Sequence, residues 1–220
     1  MLDGSQIRLV GTCLANASNN QKTGDCSQFF ILPDLVSPAK GKDRAGVCGD
    51  CPIISACYLR WGWIARQVWE TDYPDYKPAD HWQSLRHKKH RYGAAGDPAG
   101  IPSRIWSRIR KHATRGWLSY TQFWQQPKFQ HLKSWSMASC HTLEQRDTAE
   151  KLGWSVYLAT DETVPGIKLC PYEKTEGMMR CAYCGLCDGQ NGSIQITQHG
   201  GVGAMNAWKT INKQQGGTAG

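Results

Sequence analysis

The apolar positions within residues 5–13 and the apolar run that ends residues 27–32 read as two short extended segments, separated by the polar stretch Asn16–Gly24. Ser37–Asp50 mixes Gly, Lys and Asp and reads as a loop. Ser55–Thr71 reads as a helix, with Leu59, Trp63, Val68 and Trp69 as its bulky apolar positions; Pro74 and Pro78 bar its continuation. Gly93–Gly100 reads as a second loop. The best-defined helical pattern comes next. Pro102 suits a first turn, Ile105, Trp106, Ile109 and Ala113 recur at helical spacing, and Gly116 stands where a left-handed cap belongs.

After Gly116 the period changes. Trp117–Trp124 and Leu132–Ser139 alternate and predict strands. Thr142-Leu143-Glu144-Gln145 has the form of a capping box, opening a helix that runs to Leu152 and stops at Gly153. Trp154–Thr160, Ile167–Leu169 and Ser193–Thr197 complete the set of strands. A strand, a helix and a strand at this spacing form a βαβ unit, whose natural product is a parallel pair. The expected fold is α/β: a small single domain over residues 1–208 with βα units, a reduced or incomplete barrel, followed by a polar, Gly-rich disordered tail over 209–220.

Composition adds a chemical clue. The 220 residues include ten cysteines and ten tryptophans, against four phenylalanines. A chain of this length builds a core without staples. No 18-residue apolar run marks a membrane helix, and Met1–Gln6 lacks the basic and apolar regions of a secretory signal. The expected location is a reducing cytoplasm, where cysteines serve metal or redox chemistry rather than disulfides.

Charge is concentrated. Between His81 and Arg115 lie nine Lys/Arg and one acid, Asp97, so this segment alone equals the chain's net charge of +8. Arg86, Lys88, Lys89, Arg91, Arg104, Arg108, Lys111 and Arg115 are the candidate anion-binding residues, facing nucleic acid or a phosphorylated ligand, or simply water. Arg104, Arg108, Lys111 and Arg115 fall on one narrow stripe of the predicted helix.

Seven cysteines form two constellations. Cys181-x2-Cys184-x2-Cys187, preceded by Cys170-Pro171, gives three thiolates at i, i+3 and i+6 and a fourth beside a proline. That is the ligand chemistry of a 4Fe-4S cluster, although the Cys-Pro usually follows the triplet. Tetrahedral zinc is the rival, but zinc loops usually present cysteines as pairs. Cys48-x2-Cys51-x5-Cys57 supplies three more, for a second cluster with an open iron, a cluster completed by Cys13, Cys26 or Cys140, or a pooled site. Cys13, Cys26 and Cys140 otherwise read as buried packing. The turn His199-Gly200-Gly201-Val202-Gly203, at the end of a predicted strand, is a weaker cofactor candidate. Lys22-Thr23-Gly24 lacks the glycine spacing of a nucleotide-binding loop, and no catalytic triad, carboxylate pair or His-Glu-x-x-His motif is present.

The ordered strings NQKTG, FFILP, CGDCPIISACY, GDPAGIP, GWLSYTQFW, SWSMASCHTLEQRDTAEKLGW, CAYCGLCDG and IQITQHG, over residues 16 to 200, resemble an uncharacterised family of phage-encoded, cysteine-rich proteins. The resemblance implies expression in the cytoplasm of a bacterial host and implies no activity. A fold-level analogy links three early cysteines, βα units and late cysteines to radical-SAM-like iron–sulfur proteins. The chain departs from them at Cys48-x2-Cys51-x5-Cys57, which is not the usual Cys-x3-Cys-x2-Cys. The functional expectation is an iron–sulfur protein with one or two 4Fe-4S clusters and redox or radical chemistry on an anionic ligand. The alternative is a zinc-stabilised nucleic-acid-binding module that uses the basic segment 86–115.

Overall fold

The computed structural model describes residues 2–12, 21–38, 45–57, 59, 61–71, 85–198 and 204–210. Eight strands form one sheet in the order β1-β2-β3-β4-β5-β6-β8-β7. They are β1 (Ile7–Thr12), β2 (Cys26–Pro33), β3 (Lys89–Ala95), β4 (Trp117–Thr121), β5 (Met137–Cys140), β6 (Val156–Ala159), β7 (Lys168–Leu169) and β8 (Ile194–Ile196). Only β1 runs antiparallel to its neighbour. The other neighbours pair in parallel. With β1 and β7 at opposite edges the sheet is open.

The order of β2 to β6 advances by one strand at each crossover and never reverses. Crossovers between parallel strands are right-handed, so a steadily advancing order carries its connections over one face. Those connections include α1 (Ala45–Cys48), α2 (Arg66–Glu70), α3 (Ser103–Arg110) and α4 (Leu143–Lys151), while α5 (Pro171–Lys174) lies between β7 and β8. A further helix, α6, spans 204–210. The opposite face of the strands is left to enclose a chamber, as in a barrel that does not close. The α/β class expected from the sequence is the class observed, and the β5-α4-β6 unit is the expected parallel βαβ unit.

Alternation assigns side chains to the two faces. Val156 and Leu158 of β6 join the main hydrophobic core, while Tyr157 between them lines the chamber. The core holds a stack of rings in which Trp106 of α3 lies 4.8 Å from Tyr92 and 6.0 Å from Trp135. Trp106 is fully buried, and its indole N–H is satisfied by the Pro98 carbonyl at 2.9 Å. Tryptophan is suited to this position because a nearby carbonyl takes its one polar atom.

Several boundaries differ from the periodicity. Leu132–Ser139 divides into a 3-10 helix, Pro127–Ser134, and the short strand Met137–Cys140. Residues 55–71 contain a 3-10 turn, a π-helical turn over Trp61–Ala65 and only then α2. The β4 strand ends at Thr121 because the next backbone N–H, that of Gln122, turns to the Asp97 carboxylate at 2.7 Å. Ile105 is exposed, whereas Trp106, Ile109 and Ala113 are buried. In the capping box Thr142 Oγ1 accepts from Gln145 N, while Gln145 Oε1 accepts from His141 N, one residue earlier than the motif prescribes. The expected tail begins inside α6, which runs to residue 210; 211–220 lie outside the described residues, as do Cys13, His81 and the 199–203 turn. Among the described residues no helix is long and apolar enough to cross a membrane.

Candidate functional site

The strand missed by the periodicity, β3, carries the site. Lys89 and Arg91, read from sequence as part of a basic surface, are 6% and 8% exposed. Both lie in the interior because β3 is flanked on both sides by parallel partners. Arg86, Arg104, Arg108, Lys111 and Arg115 do face solvent, and Lys88 pairs with Asp25. The basic segment is therefore two things: an exposed set, and a buried pair of cations.

That buried pair meets the late cysteines. Cys170, Cys181, Cys184 and Cys187 line one cavity of about 20 Å³, walled by Tyr120, Tyr157 and Tyr172. Lys89 Nζ donates to the carbonyl of Cys184. The loop is pinned by backbone bonds from Cys181 N to Lys22 O, from Ala182 N to Thr23 O and from Ser119 N to Cys187 O. Cys170 is placed by its N–H on the Gln195 carbonyl of β8. Gly189, at φ +86°, passes so close to Ser136 that an added Cβ would stand 2.6 Å from its backbone N. Only glycine fits both demands.

Burial raises the thiol pKa of Cys187 and of Cys181, with neighbouring cysteines adding to it. For Cys187 the neighbouring Tyr120 hydroxyl pulls the other way; for Cys181 Lys22 and Arg91 do. Such thiols keep their protons at neutral pH until a metal displaces them.

The early cysteines sit elsewhere. Cys48, Cys51 and Cys57 line a separate chamber of about 330 Å³. They lie beside the C-terminal ends of the strands, since Asp97, just beyond β3, donates its N–H to Val47 O. Burial pushes the Cys51 thiol up to about 12, and the nearby Asp97 adds to the effect. Cys181 lines the same chamber from the other cysteine set. One late cysteine thus faces the space of the early set, and Tyr120 and Tyr157, with ring centroids 4.4 Å apart, border both cavities.

Asp97 fixes the chamber's upper rim. Its carboxylate accepts from Ala99 N at 2.9 Å, Thr121 Oγ1 at 2.8 Å and Gln122 N at 2.7 Å. Fully desolvated, it is nonetheless raised to about 6. Gln122 continues the network, donating from Nε2 to Ser139 Oγ and accepting from His141 Nε2 at 3.1 Å. His141 packs on Trp208 of α6, with ring centroids 4.6 Å apart. Sequence reasoning missed Asp97, Gln122 and His141, although Gly93 and Gly96 just before Asp97 mark a strand end where the backbone turns with positive φ.

None of the nine described cysteines forms a disulfide. Cys26 and Cys140 are buried, as expected for packing thiols. Among the described residues no three His, Cys, Asp or Glu close on the geometry of a single bound ion. No protein-family model matches the chain, and neither a curated protein nor a solved structure is found to match it.

Proposed function

We propose that this chain is an iron–sulfur protein in which Cys170, Cys181, Cys184 and Cys187 hold a 4Fe-4S cluster and Cys48, Cys51 and Cys57 hold a second one. The carrying observation is that Cys170 and three cysteines eleven to seventeen positions after it, Cys181, Cys184 and Cys187, line one cavity with aromatic walls and buried cations beside it. The donor set fits the group. A cube takes one thiolate at each of its irons, so its ligands surround a space instead of converging on a point. Seating it requires the 181–187 loop to move outward from its present 20 Å³ cavity. The outer side of the loop is open: a Cβ added at Gly185 would meet nothing within 4 Å, and Tyr183 is 76% exposed.

Charge supports the assignment. Four buried thiolates carry more negative charge than a ferric–ferrous core cancels, and an uncompensated buried charge is costly. Lys89 and Arg91 place two cations there, and Lys22 adds a third at the cavity wall. When bound, such a cluster supplies one-electron transfer. The protein's own contribution is to exclude water with Tyr120, Tyr157 and Tyr172 and to hold Cys170 in place by its bond to the Gln195 carbonyl.

The early set has three cysteines at the chamber wall, which leaves one iron of a cluster without a protein thiolate and turned toward the chamber. The advancing parallel strands and a three-cysteine segment after the first of them support the radical-SAM-like analogy at fold level, and with it redox or radical chemistry on a ligand in the chamber. A phage gene expressed in the cytoplasm of a bacterial host, where thiols stay reduced, suits such cofactors.

The test is anaerobic purification with iron and sulfide analysis of the wild type, Cys184→Ala and Cys51→Ala. Each variant should lose about half the iron. Loss of none in either variant would remove the proposal. A colourless protein with zinc, binding DNA in a salt-dependent way through Arg104, Arg108 and Lys111, would instead favour the nucleic-acid-binding module.

A further inference from the structure

The exposed cations take no part in either cysteine set, and α3 places several of them in a line. Arg104 and Arg108 stand one turn apart, about 6 Å along the axis. Lys111, at the C-cap, falls on the same stripe, opposite the buried Trp106 and Ile109. At one end Thr114 Oγ1 donates to the Arg86 carbonyl, which brings the exposed Arg86 to the segment that holds Arg115. At the other end His131 spans two elements, with Nδ1 3.0 Å from the Lys128 carbonyl and Nε2 2.6 Å from Ser103 Oγ. The stripe thus continues toward the exposed Lys128 of the neighbouring 3-10 helix.

Among the described residues none of Arg86, Arg104, Arg108, Lys111 and Arg115 pairs with a carboxylate, although all five are exposed. From residue 81 to residue 143 the one acid is Asp97, which is buried and held by three donors. Like charges one helical turn apart repel each other, and a polyanion relieves that repulsion. The face is also free of the chamber: α3 and the 3-10 helix connect successive parallel strands, on the side of the sheet away from it.

We propose that this face binds the sugar–phosphate backbone of duplex DNA, with Arg104, Arg108 and Lys111 along one strand and Arg86 and Arg115 beyond them. The chemistry of the groups selects the partner. Four of the five cations are Arg, whose fork matches phosphate oxygens bidentately. A protein interface would need an apolar core, and a membrane surface would take apolar side chains. On α3 the exposed large apolar residue is Ile105 alone, at 36%. Single strands are held by stacking on aromatic side chains, and the ring on α3, Trp106, is fully buried. Duplex RNA is read largely through its 2′-hydroxyls, for which Arg and Lys carry no acceptor. Contacts to phosphates alone carry no sequence information, so the binding is non-specific. This goes beyond the iron–sulfur reading and does not rest on it, since it shares no residue with either cysteine set.

The experiment is fluorescence-anisotropy titration of a labelled DNA duplex with the anaerobically purified full chain, of measured iron content, at several salt concentrations. At about 50 mM salt the duplex should bind with a Kd at or below about 10 µM, and with about five phosphate contacts log affinity should fall on log salt with a slope of about −4 to −5. Arg104→Gln/Arg108→Gln should weaken binding about tenfold or more and make the slope shallower by about 2, with iron content and circular dichroism unchanged. Should that variant lose its fold, Lys111→Gln/Arg115→Gln reads the same stripe. Lys168→Gln/Lys174→Gln removes as much charge from exposed positions elsewhere and should bind like wild type. An equal loss in that control would mean that net charge alone acts, and would overturn the inference. So would absence of binding at low salt, or tighter binding of the matching single strand or RNA duplex. Stripe-dependent DNA binding by a protein without iron would keep this inference and remove the iron–sulfur reading, and an iron-loaded protein that ignores DNA would do the reverse.

Discussion

The Tyr120 hydroxyl lies beside the sulfur of Cys187, in the wall between the cysteine cavity and the chamber, and lowers the pKa of that thiol. Tyr120 belongs to β4, whereas Cys187 lies on a loop after β7, so the contact ties the sheet to the cysteine loop. A hydrogen bond to a cluster sulfur stabilises the more reduced, more negative state. Replacing Tyr120 by Phe removes about 1 kcal/mol of that stabilisation, which for one electron lowers the reduction potential by roughly 40 mV. Potentiometric titration followed by electron paramagnetic resonance checks this, with the early-cysteine centre as the internal reference. An unchanged potential in both centres means that Tyr120 only packs.

Gly189→Ala tests how the cysteine loop is seated. Its Cβ would stand 2.6 Å from Ser136 N and 2.8 Å from Ser136 O, at a φ that side chains rarely adopt. The loop can then no longer dock, and the late centre should be lost while the early one stays. Gly185→Ala, which meets open space, should keep both. Iron content and circular dichroism of the two variants separate loss of the centre from loss of the fold.

Asp97 gives a pH dependence with a defined sign. Burial raises its folded pKa from 3.8 to about 6, so between those values the folded chain binds more protons than the unfolded chain. Stability contributed by this group therefore falls as pH rises from about 4 to about 6 and is flat above. The drop is on the order of 3 kcal/mol. Asp97→Asn should abolish it, and at neutral pH should cost about 2 kcal/mol because one amide N–H is turned toward a donor among Ala99, Thr121 and Gln122. Urea unfolding of both proteins across pH 4–8 measures the difference.

Trp106 anchors the core between α3 and the sheet. Trp106→Ala removes a fully buried ring and its bond to Pro98 O, and should destabilise the chain by about 3–5 kcal/mol. Thermal or urea melting reads this directly.

The α/β class, the β5-α4-β6 unit and the two cysteine constellations were legible because each rests on local pattern: alternation, a capping box, close spacing. The β3 strand was not. KHRYGAA opens with three basic residues and is interrupted by Gly93, yet it is a central strand because the parallel partners β2 and β4 bury it. Net charge placed Lys89 and Arg91 at the surface, while the fold draws them in beside thiols that no local window associates with them. The Asp97–Gln122–His141 network was equally hidden, since its members come from the ends of three different strands and meet only when the sheet forms. Within Leu132–Ser139, alternation gave no warning of the 3-10 helix that Pro127 initiates.

Metal and sulfide analysis of anaerobically purified wild-type protein, with its absorption spectrum, bears most directly on the central claim. Two cubane clusters predict a brown protein with broad absorption near 400 nm and about eight irons and eight sulfides per chain. A colourless protein without acid-labile sulfide, whether metal-free or carrying zinc on the same cysteines, contradicts it.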